Sequence, residues 1–253
     1  MSIAENIARI QQQIEAATQR AGRNPSEVST MAVTKTVSPD RIREAYESGI
    51  RLFGENRVQE FAGKAQALAD LIGAEWYMIG HLQSNKSRTA AELFQGVDSV
   101  DSLRLLQRLN SAAEELGKKL PVLIEINIGG ESAKSGVAAD SAEFEQILTS
   151  APKYEFVAIR GLMTVPPYSE DPEQSRPFFR RMRELRDQIA AQKLPAISVE
   201  TLSMGMSHDF EVAIEEGSTC VRIGTAIFGE RAGSRPMRVE TRGGPRVAQA
   251  SNH

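Results

Sequence analysis

Ile3, Ile7, Ile10 and Ile14 recur at the spacing of one helical face, and the run should close near Gly22, ahead of Asn24 and Pro25. After this opening helix the pattern changes. Short apolar runs rich in β-branched and aromatic residues fall at 30–34, 52–53, 76–79, 97–100, 122–128, 156–159, 197–199 and 220–223, as buried strands require. Between them lie amphipathic stretches with helix start and stop signals. Ser38 and Pro39 precede Ile42 and Ala45, and Ser102 precedes Leu103, Leu106 and Leu109 with Gly117 as the stop. Eight strands alternating with helices predict an α/β fold, a single (β/α)8 TIM-type barrel with an extra N-terminal helix. A doubly wound open sheet is the alternative, but it normally has fewer strands. The barrel is expected over residues 1–230, with 166–172 as a βα loop and 231–253 as a polar, Gly/Arg-rich, flexible tail.

Composition narrows the function without naming it. The 253 residues are 41% hydrophobic and 25% charged, which excludes disordered, collagen-like and disulfide-scaffold chains. Thirty basic and 33 acidic residues leave a formal charge of −3, so neither nucleic acid nor anionic membrane is expected as a partner. Cys220 has no partner cysteine, and His81, His208 and His253 are too scattered for a metal site. No basic region followed by an apolar core opens the chain, and no run approaches the roughly 20 apolar residues of a membrane span. A reduced, cytoplasmic protein is the expectation.

In such a barrel the chemistry gathers where the strands end, with phosphate on the loops after strands seven and eight. Lys35 ends the first strand in MAVTKT, where partial desolvation would leave more free amine for attack on a carbonyl. A strand-end lysine that snorkels to solvent is an equal alternative on position alone. The segments LSMGMSHD and RIGTAIFG combine glycine with small hydroxyls, here Ser203, Ser207 and Thr225, and read as phosphate-binding loops with a helix beginning near Ala226. Alternation puts Cys220 and Arg222 on one face of the last strand and Val221 and Ile223 on the other. Arg222 then either aims at a ligand or forms an internal salt bridge with Glu125 or Glu200. His81 reads as a loop histidine with no carboxylate to orient it, and Arg176 to Arg186 as an exposed helix face over an apolar stripe.

The motifs AVTKT, FGENRVQE, IGHLQSNK, SKSG, RGLM, LSMGMSHD and VRIGTAIFG occur in this order. Together they resemble the pyridoxal phosphate homeostasis proteins, a family similar to the alanine racemase N-terminal barrel standing alone. The resemblance covers Met1 to about Arg231. It implies that Lys35 carries pyridoxal 5′-phosphate as a Schiff base, that Ser203, Gly224 and Thr225 hold the phosphate, that Arg222 faces the pyridine nitrogen, and that Asn56 and Met204 are close neighbours. Thr34, where family members often have Ser, and His81, where Pro is common, depart from the pattern.

An arginine opposite the pyridine nitrogen leaves it unprotonated and makes the ring a weak electron sink. A racemase also needs a second acid/base. The resemblance implies that related racemases take it, a tyrosine, from an added domain of a partner subunit, whereas Tyr46, Tyr77, Tyr154 and Tyr168 all precede the last two strands. The expectation is therefore a monomeric protein that binds, stores or delivers the cofactor, with apo enzymes as recipients and Lys134 as a second amine assisting transfer. A weak amino-acid racemase using Tyr168 or His81, and a cofactor-free Schiff-base aldolase acting on a sugar phosphate, are the rivals.

Overall fold

The computed structural model describes residues 1–131 and 134–229, so the expected tail at 231–253 lies outside the described residues. Helix α1 (Ile3–Arg20) starts at a capping box, in which Ser2 Oγ accepts from Glu5 N–H at 3.2 Å and Glu5 Oε2 accepts from Ser2 N–H at 2.8 Å. There follow β1 (Ser29–Val33), α2 (Pro39–Glu47), β2 (Leu52–Glu55), α3 (Val58–Ala65), β3 (Glu75–Met78), α4 (Ser87–Leu93), β4 (Gly96–Val100) and α5 (Leu103–Glu115). The second half contains β5 (Leu120–Glu125), α6 (Ala142–Ser150), β6 (Val157–Met163), α7 (Arg176–Gln192), β7 (Ile197–Met206), α8 (Phe210–Glu215), β8 (Cys220–Ile223) and α9 (Thr225–Phe228). The eight strands are parallel and close into a barrel, with β8 beside β1 and Arg222 in register with Met31. This is the TIM-type architecture expected from the alternating pattern.

Each strand divides its side chains between two environments. Outward, Phe53 stacks on Trp76 at 4.7 Å, and Phe61 of α3 joins them 4.6 Å from Trp76. Val221 and Ile223 are likewise fully buried in the core cluster. Inward, Met31, Tyr77, Asp98, Leu123, Thr201 and Cys220 line the amino-terminal end of the barrel. Helix α1 buries its four isoleucines and docks through Asn6, whose Nδ2 donates to Ile227 O of α9 at 2.9 Å.

The boundaries that differ most from the sequence reading are those of β5, β6 and β7. β5 ends at Glu125 rather than near 128, with only an isolated bridge from Ile126 to Val137 beyond it. β6 and β7 run further than their apolar cores, to Met163 and Met206. Both extensions contain glycine at a close approach: a Cβ on Gly161 would lie 1.8 Å from Thr201 O, and one on Gly205 would lie 2.6 Å from Ala213 Cβ. Thus LSMGM is strand, not loop. The arginine face of α7 is also more than a solvated surface, because Arg176, Arg180 and Arg183 all pair with buried Glu216 at 2.9–3.2 Å, clamping α7 onto the end of α8.

Asp98 is the ionisable group most at odds with its surroundings. Burial pushes its carboxyl up to about 7, against an opposing attraction from Arg222. The folded state therefore holds its proton more tightly than the unfolded chain does, so stability falls as pH rises between about 4 and 7, and the cost is complete above that window. Asp98→Asn is expected to raise the unfolding free energy at pH 8 by up to about 4 kcal/mol, at 1.36 kcal/mol per pK unit, and to bring little gain near pH 4. Urea unfolding of both proteins at the two pH values checks this; a gain independent of pH contradicts it.

Candidate functional site

The carboxyl end of β1 is fastened on both sides of Lys35. Thr34 is fully buried; its N–H donates to Gly54 O at 2.9 Å and its hydroxyl to Glu55 Oε1 at 2.7 Å. Thr36 adopts a left-handed φ of 61°, unusual for a β-branched residue, and its N–H donates to Glu60 Oε1 at 2.5 Å. Lys64 of α3 completes the set, its Nζ donating to Thr34 O at 2.9 Å, Glu55 Oε1 at 2.9 Å and Glu60 Oε1 at 2.7 Å. Half-buried Lys35 thus leaves the wall between two anchored neighbours. Burial raises the Glu55 pKa despite Thr34 and Lys64, whereas Glu60 lies below the ordinary range because Lys64 and the Thr36 N–H outweigh its burial. The sequence reading missed this Glu55, Glu60 and Lys64 support entirely.

Next around the mouth, half-buried Asn56 follows β2. Gly80 permits the approach here, since a Cβ on it would come 2.4 Å from Asn56 O. His81 places Nδ1 2.9 Å from Asp101 Oδ2, with its ring 60% exposed. A carboxylate does orient this histidine, contrary to the sequence reading, because β3 and β4 are neighbours and set down residues 81 and 101 side by side. Beyond β5, Lys134 pairs with Glu131 and donates to Pro166 O at 3.1 Å, linking this loop to the one after β6. Glu125 accepts from Ser135 Oγ at 3.3 Å; burial first, then Asp101, raises its pKa.

Across the mouth, Arg222 is 4% exposed. Its Nη1 donates to Ser203 O at 2.8 Å and Ser203 Oγ at 2.7 Å, and its Nη2 to Thr164 O at 2.7 Å. Neither Glu125 nor Glu200 pairs with it, so the salt-bridge alternative fails. Of the five N–H donors on a guanidinium, the remaining two have no acceptor among the described residues. Ser203 lies inside β7 with its hydroxyl on Arg222, not in a phosphate loop, and this corrects its expected place. The hydroxyl that does stand beyond the strand is Ser207, whose Oγ accepts from Gly224 N–H and Ala226 N–H at 3.3 Å each, with exposed Thr225 between them. Sequence reasoning named Ser207 but did not carry it forward; its place past Gly205, beyond the last strand residue, was the available signal.

The Met204 side chain is fully buried in the core cluster, so it does not line the open mouth with its side chain. Burial pushes the Cys220 thiol up to about 12, so it behaves as a buried apolar group. Tyr46 donates to Ile72 O, Tyr77 lines the opposite end of the barrel, and Tyr154 accepts from Gln107. Tyr168 is 76% exposed with its ring 5.1 Å from His208. Among the described residues no group of three His, Cys, Asp or Glu side chains could hold a metal, and no helix is long and apolar enough to cross a membrane.

Comparison with known proteins places this arrangement. Residues 6–232 match the family model for the alanine racemase N-terminal domain. The chain is 45% identical over 233 residues to the pyridoxal phosphate homeostasis protein of Aquifex aeolicus, covering 91% of this chain and 99% of that one. It is 43% identical to the protein of that name in Escherichia coli K12, covering 90% and 97%. Among solved structures, PipY of Synechococcus elongatus PCC7942 with PLP bound superposes with a TM-score of 0.77 at 36% identity, covering 90% of this chain and all of that one. Alanine racemase of Clostridium difficile 630 shares the fold alone, with a TM-score of 0.69 at 14% identity over 91% of this chain and 58% of the racemase. An eight-stranded barrel with a lysine between anchored neighbours just past its first strand and a buried arginine in its last, matched along nearly its whole length by these relatives, belongs to the pyridoxal phosphate homeostasis protein family.

Proposed function

We propose that the carboxyl mouth binds pyridoxal 5′-phosphate and that the protein serves to hold and hand over this cofactor within the cell. The observation that carries this reading is Arg222: a buried guanidinium on the strand beside Lys35, fixed by Ser203 and Thr164, with two N–H donors left over. The donor set suits a phosphorylated pyridine aldehyde, with a primary amine on one strand, a guanidinium on the next, and hydroxyls and amides at Ser207, Gly224 and Thr225. When bound, the cofactor supplies an aldehyde that condenses reversibly with primary amines.

The roles of the chain's own residues follow. Lys35 presents its amine from a backbone that Thr34, Glu55 and Lys64 hold in place. Arg222 would face the ring nitrogen with its remaining donors and, as a permanent cation, would leave it unprotonated. Ser203 positions Arg222. Ser207, Thr225 and the Gly224 amide would hold the phosphate, and Asn56 would stand close to the ring. Lys134, tied to Glu131 and Pro166, offers a second amine for passage of the cofactor to recipient apo enzymes. Action as a cytoplasmic monomer, without strong catalysis, belongs to the same reading.

As purified, or after loading with pyridoxal phosphate, the protein is expected to be yellow, and borohydride followed by peptide mass mapping to find pyridoxyl on Lys35. Lys35→Ala should lack the visible band. A wild type that stays colourless after loading overturns the reading in favour of the sugar-phosphate aldolase. Lys134→Ala is expected to keep the band while slowing transfer to an acceptor apoenzyme several-fold; an unchanged transfer rate removes Lys134 from the pathway.

One observation favours a weak racemase as the second reading. His81, oriented by Asp101 at 2.9 Å, is the kind of carboxylate-held imidazole that moves a proton. Exchange of the α-hydrogen of alanine in deuterium oxide, slowed at least about tenfold by His81→Asn, would establish it, since a positioned acid/base contributes 100-fold or more. No exchange above that of free pyridoxal phosphate leaves the carrier reading alone.

A further inference from the structure

The amino-terminal mouth of the barrel, the end away from Lys35, holds a cavity of about 370 Å³, within the range of small-molecule sites. Its lining is unbalanced in charge: Glu27, Glu75, Asp98 and Glu200 border it against one cation, Arg160. Two of the acids have local partners, since Glu27 pairs with Arg23 at 3.1 Å and Glu75 accepts from the Tyr77 hydroxyl at 3.2 Å. Asp98 is different. It is 4% exposed, and among the described residues its carboxylate makes no hydrogen bond and no ion pair. Arg222 attracts it through the barrel interior, but the hydrogen bonds of Arg222 go to Ser203 and Thr164. A carboxylate desolvated without a donor is costly to keep, and an apolar residue could fill the same wall.

We propose that this mouth is a second ligand site, taking a small primary-ammonium compound whose –NH3⁺ group donates to the Asp98 carboxylate inside the cavity. An ammonium brings three donors on a compact charge, which answers both the missing hydrogen bonds and the excess of acid. Glu75 and Glu200 at the rim add attraction for cations and repel simple anions. A diamine would set its second head among these rim carboxylates; an amino acid would set its own carboxylate on Arg160, which has no ion pair among the described residues. The site lies at the other end of the barrel from the cofactor residues and rests on no part of that reading.

The test is a titration of the ¹⁵N-labelled full chain at pH 8, where Asp98 is ionised, with 1,4-diaminobutane, with L-alanine, and with butane-1,4-diol as the neutral control, followed at the backbone amides. Saturable shifts at Thr201, Thr219 and Cys220 with either amine, and none with the diol, are expected. Asp98→Asn should weaken this binding at least about tenfold, equivalent to one charge-assisted contact; Glu75→Gln, on the exposed rim, should weaken it less. Arg160→Ala separates the two sources, lowering affinity for alanine only. Reaction of an amine with bound cofactor would instead move Gly224 and Thr225 and persist in Asp98→Asn, so failure here and failure of the cofactor reading are distinguishable. Thermal melting confirms that each variant is folded. Absence of saturable shifts at the amino-terminal mouth with both amines, or equal affinity in the wild type and Asp98→Asn, overturns the proposal.

Discussion

A permanent cation inside a parallel barrel constrains everything around it. Arg222 cannot shed its charge as a buried lysine can, so its strand needs acceptors close by, and the neighbouring strands provide them. β7 continues four residues past Leu202, far enough to bring Ser203 O and Oγ to the guanidinium, and the chain leaving β6 turns Thr164 O towards it. Asp98 and Glu125 add attraction without touching it. With no carboxylate in contact, the guanidinium is oriented but only partly satisfied, which is the condition of a group kept for a ligand rather than for the fold.

The two ends of the barrel have opposite characters. Lys35, Arg222 and Lys134 give the carboxyl mouth its amines and guanidinium, while four acids border the amino-terminal mouth. Parallel strands make this division possible, because every βα loop falls at one end and every αβ loop at the other. Function-bearing groups can then accumulate on the loops of one end while the outward face, with Phe53 and Trp76 packed against Phe61 of α3, is left to hold the helices.

How far the sequence disclosed this depends on the physical kind of each signal. The barrel was legible because the strands carry short, largely apolar, β-branched runs and the helices one apolar face, so Cys220 to Ile223 could be read as a strand with its inward and outward residues sorted by alternation. The second half of β7 was not, because an inward-facing Ser203 and a closely packed Gly205 break the apolar run; pairing with β6 on one side and β8 on the other makes the segment a strand. For the same reason Ser203 reads from sequence as a loop residue, whereas it lies in the barrel wall with its hydroxyl on Arg222, and Ser207 stands beyond the strand. His81 and Asp101 lie 20 residues apart, and only the adjacency of β3 and β4 joins them. Lys64 was invisible for want of any motif: a lysine on a helix carries no mark until Thr34, Glu55 and Glu60 are found around it.

The support beneath Lys35 bears on what the site is for. Glu55 is completely buried and Lys64 almost so, and removing one partner of such a pair typically costs about 3–5 kcal/mol. That expense secures the backbone on either side of Lys35, through Thr34 O and through Glu60 to Thr36 N–H. A simple anion-binding pocket would need no such rigidity at its amine. An amine that must repeatedly capture and release the same aldehyde does need it, because both directions depend on presenting the nitrogen at one distance and angle. On the carrier reading, the anchored Lys35 turn and Lys134 on the loop after β5 are therefore complementary, one fixing the bound state and the other offering a second amine at the same end of the barrel.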